Sequence, residues 1–94
     1  MQKYETSLCI PRIESKFTRQ FIFDKIRRLN WGYIEKISEI PLMNEENYKR
    51  IVVKLKWNQL DSSKKYKAKL DDGETIKLVY ERDSPWYWRI HKFR

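Results

Sequence analysis

The stretch 49–57 constrains the fold of this chain more than any other, because every second residue in it is large and apolar. Its inner positions hold Ile51, Val53, Leu55 and Trp57, and the positions between them hold Arg50, Val52, Lys54 and Lys56. Successive side chains of a β-strand point to opposite faces of the sheet, so a period of two predicts a strand. We expect one face of this strand to belong to a core. The other face is open and positively charged.

The size of the chain predicts one small domain with a single core. All 94 residues are assigned to it, with the core at about 7–80 and a basic, aromatic segment at 84–94. Hydrophobic residues make up 40% of the chain, and the charged 36% is spread along it. This composition favours a globular domain over a disordered one.

Periodicity and turn residues predict the remaining elements. Strands are expected at 7–13, 33–42, 48–57 and 75–80, and helices at 14–30 and 64–70. Ser15 is the predicted N-cap of the first helix, and Gly32 its stop. Pro11 should end the first strand or lie at its rim, because it has no N–H group to donate. A bulge near Ser38 would reconcile the irregular parity of the second strand.

The C-terminal segment has an unusual composition. Residues 85–94 contain four aromatic and three Lys or Arg residues, and no acidic residue. The segment is either a fifth strand or an extended arm. Alternation separates Trp86 and Trp88 from Tyr87 and Arg89, and at least one of the tryptophans is expected to complete the core.

The order strand, helix, strand, strand, helix, strand is that of a ferredoxin-like α+β sandwich, in which a four-stranded antiparallel sheet carries two helices on one face. Together with the run Leu-Cys-Ile-Pro-Arg-Ile at 8–13 and the turn at Gly73, this order resembles an RNA recognition motif over about residues 7–80. The resemblance implies that the open sheet face binds RNA or single-stranded DNA. Members of that family stack bases on sheet aromatics. The matching positions here hold Cys9, Arg50 and Val52.

Two short runs resemble a second group of proteins. Leu-Cys-Ile-Pro-Arg near the start and Pro-Trp-Tyr-Trp-Arg near the end are similar to segments of small proteins of large double-stranded DNA viruses. This resemblance implies a protein of the host cytoplasm or nucleus, or of the virion.

The net charge of +8 favours polyanionic partners. We therefore expect RNA or single-stranded DNA binding with low sequence specificity, through phosphate contacts and stacking on the C-terminal segment. The alternative is a protein–protein interaction module, such as a small viral structural or assembly component. The predicted nucleic-acid-binding residues are Arg12, Arg50, Val52, Lys54, Lys56, Tyr87, Arg89, Lys92 and Arg94.

The sequence does not contain the residue patterns of metal-binding, nucleotide-binding or catalytic sites. Cys9 is the single cysteine and His91 the single histidine, so no set of His and Cys ligands for a metal exists. Two glycines do not form a phosphate-binding loop, and no nucleophile, base and acid stand at a recognisable spacing. We expect no catalytic residues, no cofactor and no small-molecule substrate. A membrane span and a signal peptide are also not expected, and the lone cysteine suits an intracellular, reducing compartment.

Overall fold

The computed structural model describes residues 5–81 and 85–93. Within these residues the chain forms five strands and two helices. In chain order they are β1 (Glu5–Glu14), α1 (Arg19–Arg27), β2 (Gly32–Leu42), β3 (Glu45–Trp57), α2 (Asp61–Asp71), β4 (Ile76–Val79) and β5 (Tyr87–Lys92).

The strands form one antiparallel sheet in the order β2-β3-β1-β5-β4. The predicted α+β class is confirmed, and the layout is compatible with a ferredoxin-like domain. The predicted count of four strands is wrong, because the C-terminal segment forms β5 and lies between β1 and β4. The alternation of this segment fits a strand or an arm equally well. The segment becomes a strand because β1 has an edge that β3 does not occupy, and β5 pairs with that edge.

The core lies between one face of the sheet and the two helices. Ile51, Val53 and Leu55 of β3 are each no more than 1% exposed. They belong to one buried cluster with Ile22 of α1 and Leu70 of α2. The predicted facing of β3 is therefore confirmed.

Two aromatic clusters close the core. In the first, Trp31 stacks on Trp57 with ring centroids 5.3 Å apart, and the buried Trp57 Nε1 donates a hydrogen bond of 2.9 Å to Thr6 Oγ1. In the second, Tyr80 stacks on Trp88 at 4.6 Å. Trp88 is a core residue, so the expectation that at least one tail tryptophan is buried is confirmed.

The ends of α1 differ from those predicted. Thr18 is the N-cap, and its side chain accepts a hydrogen bond of 3.1 Å from the Phe21 amide. Ser15 does not cap the helix, because its amide continues the sheet by donating to the Asn47 carbonyl. After the helix, Asn30 takes the left-handed turn conformation with φ 56°.

Gly32 serves strand pairing rather than helix termination. It is the first residue of β2, and a Cβ at this position would lie 2.0 Å from the carbonyl oxygen of Lys56 on β3. Glycine lets the two backbones approach closely at this end of the sheet. The irregularity predicted near Ser38 lies instead at two other points, between Ile34 and Lys36 and between Pro41 and Leu42.

The helices are short. No helix within the described residues is long and apolar enough to cross a membrane.

Replacing Leu55 with alanine should remove a fully buried side chain from the core. We expect Leu55→Ala to lower the free energy of unfolding by about 2–5 kcal/mol in chemical denaturation. Lys56→Ala is the control on the opposite face of the same strand, where changes stay within about 0.5 kcal/mol. Similar losses for both variants would contradict the facing of β3.

A partly buried ion pair joins β3, β2 and the start of α1. Lys49 Nζ lies 2.6 Å from Glu39 Oε1 and donates a hydrogen bond of 2.6 Å to the Phe17 carbonyl, while Arg19 Nη2 lies 3.2 Å from Glu39 Oε2. The hydrogen bond from Lys49 lowers the pKa of the Glu39 carboxyl, aided by the positive charges of Lys49 and Arg19.

This pair predicts a pH dependence of stability. A carboxyl whose pKa is lower in the folded than in the unfolded state stabilises the fold fully above its unfolded pKa, near 4.5. That contribution is lost as the pH falls through the lower, folded value. Stability measured between neutral pH and about pH 3 should therefore fall less steeply for Glu39→Gln than for the wild type. Glu46→Gln is the control, because it removes an exposed carboxylate that forms no ion pair among the described residues.

Candidate nucleic-acid interface

The face of the sheet opposite the helices carries the alternate residues of each strand. At its centre Cys9 of β1 lies between Val52 of β3 and His91 of β5. Cys9 is 8% exposed, and burial raises the pKa of its thiol. It therefore acts as a small packing residue, and the charged side chains lie around it.

A bulge in β1 opens a pocket on this face. β1 pairs with β5 at Leu8 with Lys92 and at Cys9 with His91. Its pairing with β3 then shifts register between Ile10 and Ile13. Pro11 lies in this bulge, where its missing N–H cannot extend the ladder. The resulting pocket encloses about 550 Å³. It is lined by Pro11, Arg12, Trp86, Tyr87, Arg89 and His91.

The prediction that Pro11 ends or rims the first strand is corrected here. β1 continues to Glu14, which pairs with Tyr48 of β3. A bulge absorbs the proline because β3 is long enough to keep pairing beyond it.

Two aromatic side chains stand at the pocket. Trp86 is 66% exposed, and Tyr87 is half-buried at the start of β5. Arg89 Nη2 donates a hydrogen bond of 3.4 Å to the Tyr87 hydroxyl, and Lys77 Nζ lies 4.8 Å from the centre of the Tyr87 ring. The hydrogen bond from Arg89 and the charges of Arg89 and Lys77 lower the pKa of the Tyr87 phenol. The pocket therefore has a positive electrostatic environment.

Arg12 is held in place on the other side of the pocket. Its guanidinium carbon lies 3.7 Å from the centre of the Tyr48 ring, and its Nε lies 3.2 Å from Glu45 Oε2. The hydrogen bond to Glu45 is the main reason why the pKa of Arg12 is raised. The side chain stays 55% exposed. Stacking on an aromatic face is a common arrangement of the planar arginine guanidinium.

A second pocket extends the first across the bulge. It encloses about 660 Å³ and shares Pro11 and Arg12 with the first pocket. Arg50 and the turn between β2 and β3 form its remaining walls. We call the two pockets together the bulge groove. It runs from Trp86 to the fully exposed Met43.

Charge is distributed unevenly over the sheet face. Lys54 Nζ lies 3.0 Å from Glu5 Oε1 and 3.7 Å from Glu35 Oε2, and Lys56 Nζ lies 3.6 Å from Glu35 Oε1. These lysines are compensated by carboxylates of the same face.

The cations around the groove differ from these two lysines. Among the residues that the structure describes, no carboxylate forms an ion pair with Arg50, Lys77 or Arg89. Arg50 and Arg89 thus place uncompensated positive charge at the bulge groove, while Lys36 of β2, opposite Lys54, is a further cation of this face without an ion pair to a described carboxylate.

The structure brings four of the predicted binding residues together: Arg12, Arg50, Tyr87 and Arg89. Val52 is half-buried beside Cys9, and Lys54 and Lys56 lie on the same face in their ion pairs. Lys92 lies on the helix side, where its Nζ is 2.8 Å from Asp71 Oδ1 of α2. Arg94 lies outside the described residues.

Three further residues of the site were not among the predicted ones. They are Lys77, Trp86 and His91. The alternation of β4 places Lys77 on the open face, but only the pairing of β4 with β5 brings it next to Arg89 and Tyr87.

Within residues 5–81 and 85–93, no group of three or more His, Cys, Asp or Glu residues could hold a metal ion. No family model matches the chain, and no curated protein or solved structure matches it significantly. The bulge groove and its charges are therefore the features from which a function can be inferred.

The two neighbouring aromatics of β5 should respond differently to truncation. Trp88→Ala removes a core ring and should cost about 3–5 kcal/mol of unfolding free energy. Tyr87→Ala removes a ring from the open face and should cost much less. Thermal melts of both variants check the assignment. An equal loss of melting temperature would mean that Tyr87 is a core residue and not part of the groove.

Proposed function

We propose that this protein binds RNA or single-stranded DNA with low sequence specificity through the bulge groove. One observation carries the proposal. Arg50, Lys77 and Arg89, uncompensated among the described residues, surround a groove that also presents the rings of Trp86 and Tyr87. Cations hold phosphates, and aromatic rings accept stacked bases.

The exposed ring of Trp86 favours single strands over duplexes. Bases in a duplex are already stacked on their neighbours, whereas unpaired bases can stack on aromatic side chains. The resemblance to an RNA recognition motif supports the same ligand class. Tyr87 is the first residue of β5, and Trp86 directly precedes it, whereas that family stacks bases on β1 and β3. Stacking would therefore take place at one side of the sheet.

Low specificity follows from the types of side chain in the groove. Its charged lining consists of Arg12, Arg50 and Arg89 together with Glu45, which pairs with Arg12. Contacts of cations with phosphates carry no sequence information, and stacking tolerates every base.

A protein partner is the second candidate function. Within the groove Met43 is 98% exposed, and Trp86 adds a large ring that is 66% exposed. Tryptophan and arginine dominate the binding energy of many protein interfaces. The same groove would then hold an acidic, partly apolar protein surface. The two runs similar to small viral proteins support a place in a host cell or a virion for either function.

The salt dependence of binding tests the leading function. We expect the affinity for a mixed single-stranded oligonucleotide to fall steeply with salt. The slope of the logarithm of the binding constant against the logarithm of the salt concentration should be smaller for Arg89→Gln, by about 0.7 for each lost phosphate contact. Lys54→Gln is the matched control, because Lys54 is already paired with Glu5 and Glu35, and its slope should stay close to the wild type.

Two results would contradict the proposal. Equal slopes for Arg89→Gln and the wild type would remove the groove from the binding site. A wild type that binds no oligonucleotide even at low salt would leave the protein partner as the better candidate.

A further inference from the structure

A second basic cleft lies on the other side of β4. It encloses about 450 Å³ between the C-terminal end of α1 and the strand β4. Its walls are Lys25, Arg28, Leu29, Leu78, Val79 and Tyr80. None of these residues belongs to the bulge groove.

The cations of this cleft have no acidic partner among the described residues. Lys25 Nζ lies 5.1 Å from the centre of the Phe21 ring, and neither Lys25 nor Arg28 forms an ion pair with a described carboxylate. Arg28 is exposed at the end of the helix. Arg27 is also exposed but does not line the cleft. The cleft therefore offers two cations to an anionic ligand.

The cleft and the bulge groove lie on opposite faces of the sheet, near the edge that β4 forms. β4 is the outermost strand and spans four residues. Val79 lines the cleft, and its register partner is Tyr87, which lines the groove. The cleft lies on the helix side of β4 and the groove on the opposite face, so a ligand that occupies both sites passes around the edge of this strand. The free edge of a strand also presents unpaired N–H groups, which are common phosphate donors.

We infer that a bound single strand continues from the bulge groove over the edge of β4, and that its phosphates contact Arg28 and Lys25 in the cleft. This inference rests on the proposed nucleic-acid function and deepens it by naming the path of the strand. The two cations of the cleft, and the pairing of its wall residue Val79 with Tyr87 of the groove, support a phosphate backbone as its occupant.

The dependence of binding on oligonucleotide length tests the path. Oligodeoxythymidylates of roughly four and roughly twelve nucleotides span the range of small single-strand sites. Arg28→Gln should weaken binding of the longer probe severalfold and lower its salt slope by about 0.7, because one phosphate contact is lost. The shorter probe should bind this variant as it binds the wild type. Lys25→Gln, a second variant in the same cleft, should give the same pattern.

Arg27→Gln is the matched control, with the same charge change in the last turn of the same helix. It should leave both probes close to the wild type, and thermal melts of all variants confirm that they are folded.

The results that would contradict the path differ from those that would contradict the proposed function. Equal effects of Arg28→Gln and Arg27→Gln, or an effect of Arg28→Gln that does not depend on length, would overturn the path and leave the groove as the site. If the wild type binds neither probe, both the path and the proposed function fail.

Discussion

The burial of the inner face of β3 in the shared core is the interaction on which the rest of the structure depends. Ile51, Val53 and Leu55 are almost completely buried, and β3 pairs with β2 on one side and β1 on the other. A strand with period two cannot shift by one residue without exposing its whole apolar set. Burial of this face therefore sets the register of both neighbours. It also determines which residues of β1 and β3 face away from the helices.

The bulge at Pro11 turns part of that rigid sheet into a concave surface. Regular pairing of β1 with β5 would leave a flat face without a pocket. The proline interrupts pairing after Cys9, while β5 continues along the opening to Tyr87. Trp88, buried on the other side of β5, anchors the strand that carries the exposed groove residues. The same short strand thus contributes to the core with one face and to the candidate site with the other.

Net charge alone does not identify the binding surface. The chain carries +8, yet Lys54 and Lys56 are neutralised locally by Glu5 and Glu35. Exposed pairs of this kind contribute little stability, about 0–1 kcal/mol. They do reduce the field that a phosphate would encounter. Arg50 and Arg89, which form no ion pair with a described carboxylate, keep their charge available at the bulge groove.

The sequence by itself determined the α+β class, the facing of β3 and the burial of at least one C-terminal tryptophan, because these follow from local periodicity and the need to bury apolar area. Alternation also put Arg50, Tyr87 and Arg89 outward. Arg12 has the same parity as the buried Leu8 and Ile10, and it faces outward only because the bulge between Ile10 and Ile13 shifts the phase of β1. Only the tertiary structure decided that residues 87–92 form a strand between β1 and β4. It likewise decided that Lys92 pairs with Asp71, and that Lys77 rather than Lys54 strengthens the positive groove. These outcomes depend on which distant strands and carboxylates become neighbours, and periodicity along the chain carries no information about that.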